Sequence, residues 1–507
     1  MSTTAGGGGA TDPADVNIAH WVSARAAEVP ESPAVKQPDR VMTFAELDEL
    51  VGRAATELTA HGVQAGDRVA MIMPNVAFFP VYYFAVLRLG AVVVPMNPLL
   101  KAAEITYMWT DAEIKVAVVF AGLAEQAQLA GSGTGTDLIL VDLTGSYQRL
   151  TELAPTRTTV PRTAEDTAVI LYTSGTTGAP KGAELSHHNI GSNVRTVLET
   201  LIPMAPGDVI FGGLPLFHSF GQTVALNTAM ASGACLTLLA RFDPLEALRM
   251  IAEDRVTILM GVPTMYVALL NAPDARGYDT SALRLAVSGG SSLPVEVLTG
   301  VEQQFGLTLL EGYGLSETSP VASFNHPDQP SKPGSIGFPI RGCAFDLFDT
   351  DDQPVADGQI GEIVIRGENV MKGYLNRPDD TDTVMRGGWF HTGDLARRDA
   401  DGYYFIVDRL KDMIIRNGFN VYPREIEEVL HAHPAVQEAA VVGVPHSQHG
   451  EEIGALVTLK QGEQATEEEL IGYVKERLAA YKYPRMIRFG QLPKGPTGKI
   501  LKREIHL

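Results

Sequence analysis

The sequence predicts an α/β protein: a large N-terminal domain of parallel-type sheets with flanking helices, a β-rich subdomain, and a small α+β C-terminal domain. Three observations predict it. From Val41 to Ser288, short β-branched and aliphatic runs alternate with helix-length segments, the pattern of βαβ units. From Pro333 onward that alternation gives way to short strands and turns. A charged break, Asp408-Arg-Leu-Lys-Asp412, then precedes helix and strand patterns spanning about a hundred residues, an ordinary size for one domain. The chain has 507 residues, more than one core normally holds, so roughly two to four units are expected.

Taken in order, residues 1–12 are rich in Gly, Ser, Thr and Ala, with neither a basic region nor an apolar core. They read as a disordered tail and not as a signal peptide. Asn17 to Val29 has helical spacing, and Thr43 with Glu46 forms a capping box that opens the next helix. Gly66 to Met73 is turn then strand, Asn75 to Leu89 helix, Ala91 to Pro95 strand. Ala102 to Asp111 is helix and Val116 to Phe120 strand. Gly131 to Gly135 reads as a flexible loop ahead of a strand at Asp137 to Val141. After the strand Thr167 to Leu171, further strands are expected at Val209–Gly213, Cys235–Leu239, Ile258–Gly261 and Leu285–Ser288. The β-rich part, about 333–408, has strands at Phe345–Asp349, Gly361–Arg366 and Gly402–Val407. Beyond the break come helix Glu425–Ala432, strands Val436–Val442 and Ile453–Leu459, and helix Glu467–Leu478. The expected division is thus 13–408 and 409–507.

A formal charge of −20 argues against general nucleic-acid binding. Cys235 and Cys343 are the only cysteines, which excludes a disulfide framework and points to the reducing cytoplasm. The most membrane-like stretch, Phe78 to Met96, contains Pro80, Arg88 and Gly90; Arg88 and Gly90 divide it into helix and strand, so no integral membrane segment is expected.

Chemistry concentrates in a few motifs. Tyr172-Thr-Ser-Gly-Thr-Thr-Gly-Ala-Pro-Lys-Gly182 follows a strand with three threonines, a serine and glycines in the turn. Bare amides and hydroxyls from Thr173, Ser174, Gly175, Thr176, Thr177 and Gly178 can converge on one point as an anion-binding concavity, and Lys181 adds a compact cation suited to a polyphosphate. The Walker A spacing is not met, since Pro180, Lys181 and Gly182 stand where it requires Gly-Lys-[Ser/Thr]. Glu311-Gly-Tyr-Gly-Leu-Ser-Glu317 offers the flat face of Tyr313 to a purine, the Ser316 hydroxyl to an α-phosphate, and Glu317 as a hard oxygen ligand for Mg²⁺, with Thr173 as a second metal-ligand candidate. Glu311, Gly312 and Gly314 share that nucleotide-binding segment. Ser288-Gly-Gly-Ser-Ser-Leu-Pro294 has small residues (Gly289, Gly290, Ser291) along which a flat ring can slide. Gly388-Trp-Phe-His-Thr-Gly-Asp394 ends in an acid able to accept two ribose hydroxyls. Leu214-Pro-Leu-Phe-His-Ser-Phe-Gly221 sets His218 among apolar residues that could wall an acid pocket with Val262, Met265 and Tyr266. A run from Lys482 to Arg503 holds Lys482, Arg485, Arg488, Lys494, Lys499, Lys502 and Arg503 without an intervening acid, and reads as an anion-binding tail.

The loop Y-T-S-G-T-T-G-x-P-K-G and the motifs after it resemble those of the adenylate-forming superfamily, in its acyl-CoA synthetase branch; the resemblance runs from Val41 to Ile505. It implies ATP, Mg²⁺ and coenzyme A as cofactors and a carboxylic acid as substrate. It also implies that Gly289 to Ser291 touch adenine, that Asp394 and Arg409 hold ribose, and that His218 lies beside the carboxylate. By the same resemblance Lys411 is the hinge of a mobile small domain, Gly418 and Phe419 line a pantetheine tunnel in the thioester-forming state, and Lys499 in Pro493-Lys-Gly-Pro-Thr-Gly-Lys-Ile500 is the adenylation lysine. Two departures are mild: Ser316 stands where Thr is also common, and Pro496-Thr497 where many relatives have Ser before the glycine. The expected reaction is AMP-forming activation of a medium- or long-chain fatty acid or an aryl acid, then transfer to CoA, with catalysis by Lys499, Lys181, Glu317, Thr176 and His218. Delivery to a carrier protein in trans, adenylation of another small anion, and, in a different class, a non-catalytic nucleotide-binding protein are the alternatives; a homodimer is left open.

Overall fold

Strands this rich in Val, Ile and Leu on both faces must be covered twice, and they are. The computed structural model describes residues 16–173, 179–273, 275–446, 448–495 and 498–507. The expected tail at residues 1–12 lies outside them. Among the described residues the strands form sheets of nine, seven, five and five strands.

The seven-stranded sheet runs Gly373–Tyr374, Lys181–Ser186, Thr167–Thr173, Val92–Met96, Arg68–Ile72, Val116–Phe120, Asp137–Val141. Its interior pairs are parallel, and Val92–Met96 is buried along its whole length, as a doubly covered strand must be. The nine-stranded sheet has the same parallel interior through Leu285–Ser288, Ile258–Gly261, Val209–Gly212 and Cys235–Leu238. Both sheets are antiparallel toward their edges, at Thr167–Thr173 with Lys181–Ser186 and at Thr308–Gly314 with Val321–Phe324. A short connection can return a strand only antiparallel, which is why the phosphate-loop hairpin breaks the parallel pattern.

The helix Phe78–Arg88 is apolar on all sides because it is buried on all sides, not because it meets lipid. Arg88 at its end is 1% exposed, paired with Asp48 and donating to the Thr156 carbonyl. Among the described residues no helix is long and apolar enough to cross a membrane. The Thr43–Glu46 capping box is present and opens Phe44–Ala60.

One expected loop is a helix. Gly131 to Thr134 belongs to Ala124–Thr134, and Gly135 caps it in the left-handed region at φ 75°. Glycine's intrinsic cost is offset because Ala127, Ala130 and Gly131 are buried in the helix's packed face. The segment Trp389–Arg398, read only as a motif, is a ten-residue strand paired with Ile360–Gly367 and Tyr404–Arg409. Residues 414–487 surround a core of their own, with Ile414, Ile426, Val441, Ile453 and Leu470 buried on it.

Candidate active site

The hairpin Thr167–Thr173 to Lys181–Ser186 is paired so that Thr173 stands opposite Lys181 and Tyr172 opposite Gly182. Lys181 and Thr173 therefore flank the mouth of the loop. The loop's Ser174, Gly175, Thr176, Thr177 and Gly178 lie outside the described residues. Gly182 is required here: a Cβ would stand 2.8 Å from Ile170. The Tyr172 hydroxyl donates to Asp111 at 2.6 Å and the Tyr107 hydroxyl to the Pro180 carbonyl at 3.1 Å, which anchors both feet of the loop.

Across from it, the strand Thr308–Gly314 ends in a 3₁₀ turn, Ser316–Thr318, that presents Glu317. Glu317 is 8% exposed, and its Oε1 accepts from the Tyr374 hydroxyl at 3.0 Å and the Thr173 hydroxyl at 3.3 Å. One buried carboxylate beside one hydroxyl is the sparse, all-oxygen donor set that Mg²⁺ takes when substrate phosphates and water complete its shell. Among the described residues no cluster of three or more His, Cys, Asp or Glu could hold a metal by itself. Lys181 Nζ is paired with Asp380 at 2.7 Å.

Two turns meet in the next part of the cleft. Ser288 is the parallel partner of Glu311, which puts Gly289, Gly290 and Ser291 alongside Gly312 and Tyr313. Gly290 takes φ +80°, and a Cβ on Gly289 would press to 3.2 Å from the Phe220 ring. Glu311 is bonded to the neighbouring turn: its Oε1 accepts the Leu293 amide at 3.0 Å and it is 3% exposed. Burial raises its pKa to about 7, against the opposing pull of Arg424. Its role is to hold the 289–293 turn. The Tyr313 hydroxyl donates to Asp394 at 2.7 Å, while Arg409 Nε sits 3.0 Å from the other Asp394 oxygen. Burial and then Asp394 push the Tyr313 phenol well above its usual range, so it remains a donor. Glu362 accepts the Gly393 amide at 2.8 Å and so braces the turn ahead of Asp394.

His218 accepts the Phe220 amide on Nδ1 at 3.4 Å, leaving Nε2 to carry the proton of the neutral ring. Burial, and then the Lys499 charge, lower its pKa to about 4. The small domain supplies Lys499. Its loop docks on the large domain where the Thr264 hydroxyl donates to the Gly498 carbonyl at 3.2 Å; a Cβ on Gly498 would lie 2.7 Å from that hydroxyl. Lys499 opens into the cleft, and crowding of its ammonium by protein, then by Arg409 and Lys411, lowers its pKa to about 8, with Asp394 and Asp412 opposing. His218, the stretch holding Asp394, Arg409 and Lys411, and Lys499 thus come together at one place although the three stretches are far apart in the chain.

Other expected residues fall elsewhere. Phe419, 54% exposed, stacks on Tyr481 at 4.8 Å beyond an Asn417-Gly418 turn whose positive φ values suit a tight hairpin. Of the expected acid-pocket wall, Phe220, Val262 and Met265 are 9%, 8% and 7% exposed, but Tyr266 is 0% exposed with its hydroxyl on the Val287 and Leu259 carbonyls. Tyr266 ties strands together and lines nothing. Three lysines of the basic run are taken by carboxylates: Lys482 pairs with Glu425, Lys494 with Glu438 and Lys502 with Glu427. Of these lysines only Lys499 is directed at the cleft. Tyr374, Asp380, Thr264, Glu362 and Arg424 escaped the reading of motifs because nothing in their local pattern separates them from ordinary loop and strand residues.

Comparison with known proteins identifies the family. Residues 22–375 match the family model described as AMP-binding enzyme, and 425–499 match the AMP-binding enzyme C-terminal domain. The chain is 37% identical to a long-chain-fatty-acid–CoA ligase of Bacillus subtilis strain 168, covering 95% of this chain and 92% of that protein. It is also 37% identical to a feruloyl-CoA synthase of an Amycolatopsis species, covering 96% and 98%. Among solved structures, the anthranilate CoA ligase AuaEII with anthranoyl-AMP superposes at a TM-score of 0.92 and 28% identity, over 97% of this chain and 96% of that one. ATP-bound MatB from Rhodopseudomonas palustris superposes at 0.90 and 34% identity, over 96% and 98%. The chain belongs to the AMP-binding enzyme family, within the adenylate-forming superfamily and on its acyl-CoA synthetase branch.

Proposed function

We propose that this protein joins a monocarboxylic fatty or aryl acid to coenzyme A by way of an acyl adenylate, using ATP and releasing AMP. The observation that carries the reading is the meeting of Lys499, from the small domain, with His218 and Asp394 of the large domain and with Arg409 at the boundary between the two. A carboxylate oxygen attacks the α-phosphorus of ATP; the bond to pyrophosphate breaks, and the acyl adenylate remains. The CoA thiolate then attacks the acyl carbon, and AMP leaves with the electron pair of the acyl–oxygen bond.

The chain's own residues supply positioning and charge for the first step. Asp394 accepts the ribose hydroxyls in an orientation set by Tyr313 and Arg409. Lys181 is assigned to the phosphates, and the resemblance assigns Thr176, Thr177 and the loop amides to them as well. Glu317 and Thr173 would hold Mg²⁺, which supplies charge neutralisation on the phosphates when bound. Neutral His218 donates from Nε2 toward the acid without adding a second positive charge, and Lys499 bridges the carboxylate and the α-phosphate. Phe220, Val262 and Met265 offer apolar walls, which favours an acid with one carboxylate. The unit after Asp408 is proposed to turn about Lys411, withdrawing Lys499 and bringing Gly418 and Phe419 to the thiol's path. Residence in the reducing cytoplasm is proposed because Cys235 and Cys343 are the chain's only cysteines and both are free.

The test is acid-dependent exchange of labelled pyrophosphate into ATP across fatty, cinnamic and benzoic acids, followed by AMP release on adding CoA. Exchange with one of these classes and CoA-dependent AMP release are expected; exchange with no AMP release on adding CoA would remove the ligase reading.

A further inference from the structure

The lysine at the phosphate loop already has an anion. Lys181 Nζ lies 2.7 Å from Asp380 Oδ1, with side chains 11% and 30% exposed, so water only partly screens the pair. Asp380 comes from the first turn of the helix Pro378–Val384, and the two partners are 199 residues apart. The same segment delivers Tyr374. Its hydroxyl is bonded to Glu317, and its ring lies 5.4 Å from Lys181 Nζ. Tyr374 is itself held by Thr381, whose hydroxyl accepts the Tyr374 amide at 2.9 Å.

We infer that Asp380 is a resident counter-ion for Lys181, displaced when the phosphates of ATP arrive, so that nucleotide binding is an anion exchange at this lysine. The inference rests on the assignment of Lys181 to the phosphates. A half-buried ammonium left bare would be costly. A single carboxylate holds it in place and is outcompeted by a polyphosphate carrying several charges. The Tyr374 ring, with its negative face near the ammonium, keeps the lysine at the loop while its partner changes. The energetic consequence is specific. Asp380 opposes ATP twice, by occupying Lys181 beforehand and by repelling phosphate afterwards, so its removal tightens binding. A residue whose only role is to stabilise the fold would have the opposite effect or none.

The measurement is calorimetric affinity for ATP and for adenosine, with EDTA present so that no metal enters, on the full-length protein and on Asp380→Asn, Lys181→Met and the double variant. Asp380→Asn is expected to bind ATP about threefold to fivefold more tightly, the range of one partly screened ion pair. Adenosine, which has no phosphate, should bind unchanged. In the Lys181→Met background the Asp380 substitution should lose the part that comes from occupying Lys181 and keep only the part that comes from repelling phosphate, so its effect should be smaller. Unchanged or weaker ATP binding by Asp380→Asn overturns the exchange. If Asp380→Asn does not fold, Asp380→Glu, whose longer arm shifts the carboxylate, must alter ATP affinity but not adenosine affinity; equal effects on both overturn it too. Equal ATP affinity in Lys181→Met and the unaltered protein would instead remove the phosphate assignment of Lys181.

Discussion

Two residues in the cleft have protonation states set by their surroundings, and each yields a measurable consequence. Lys499 is held near a pKa of about 8, so the nucleotide-free protein loses this charge in the alkaline range. The kcat/KM for ATP in pyrophosphate exchange should therefore fall above about pH 8, since that parameter reports the free enzyme. Lys499→Arg, which stays charged, should flatten the alkaline limb at a reduced rate. Lys499→Ala should lower exchange by roughly 10²–10³-fold while thioester formation from supplied acyl adenylate survives; equal loss in both half-reactions would contradict the assignment. Glu311 works with the opposite sign. Folding raises its pKa from 4.5 to about 7, so the folded state holds a proton that the unfolded state has released across that window. Stability from this group is present at low pH and declines as pH rises from about 4.5 to 7, by an amount on the order of 3 kcal/mol at the ceiling. Glu311→Gln should remove that decline, and unfolding melts at pH 5 and pH 8 will show whether it does.

At the scale of elements, the strand Thr308–Gly314 and its return Val321–Phe324 decide where Tyr313, Ser316 and Glu317 stand. Their register shifts between Tyr313 and Gly314, and a Cβ on Gly314 would lie 1.8 Å from the Pro320 carbonyl. Backbone cannot yield as a flexible side chain does, so Gly314→Ala must push the two strands apart. It should cost about 1–3 kcal/mol and carry Glu317 away from Thr173 with it. Thermal melts with and without ATP check this: both the melting temperature and the ATP-induced gain should fall. The helix Pro378–Val384 illustrates the converse. Nothing in its seven residues marks it as functional, yet its first turn reaches Lys181.

For the whole molecule, the question is what holds the small domain where Lys499 reaches the cleft. Arg424, 8% exposed, donates from Nη1 to the Ile406 carbonyl at 2.7 Å and from Nε to Glu428 at 3.0 Å, and Asp408 accepts its amide at 3.0 Å. Ile406 and Asp408 lie on the strand Tyr404–Arg409, so the guanidinium spans the proposed boundary. Removing a charged donor from a buried carbonyl typically costs about 1.5–3 kcal/mol. Arg424→Ala is expected to weaken this docked arrangement, lowering pyrophosphate exchange several-fold more than thioester formation from acyl adenylate. Separate assays of the two half-reactions decide it.

Much of this was legible in the chain itself. The alternation of apolar runs and helical segments identified the α/β class and most interior strands, because burial on both faces leaves a strong compositional trace. The glycine- and hydroxyl-rich loop, Glu317, Asp394 and Lys499 were legible because their chemistry requires particular side chains in short local patterns. What local pattern cannot express is pairing over distance. That Tyr266 ties strands together, that Glu311 braces a turn, that three lysines of the basic run pair with Glu425, Glu427 and Glu438, and that Asp380 faces Lys181 depend on contacts between segments distant in the sequence. Those energies exist only once tertiary packing removes the groups from water, and so only the folded structure could decide them.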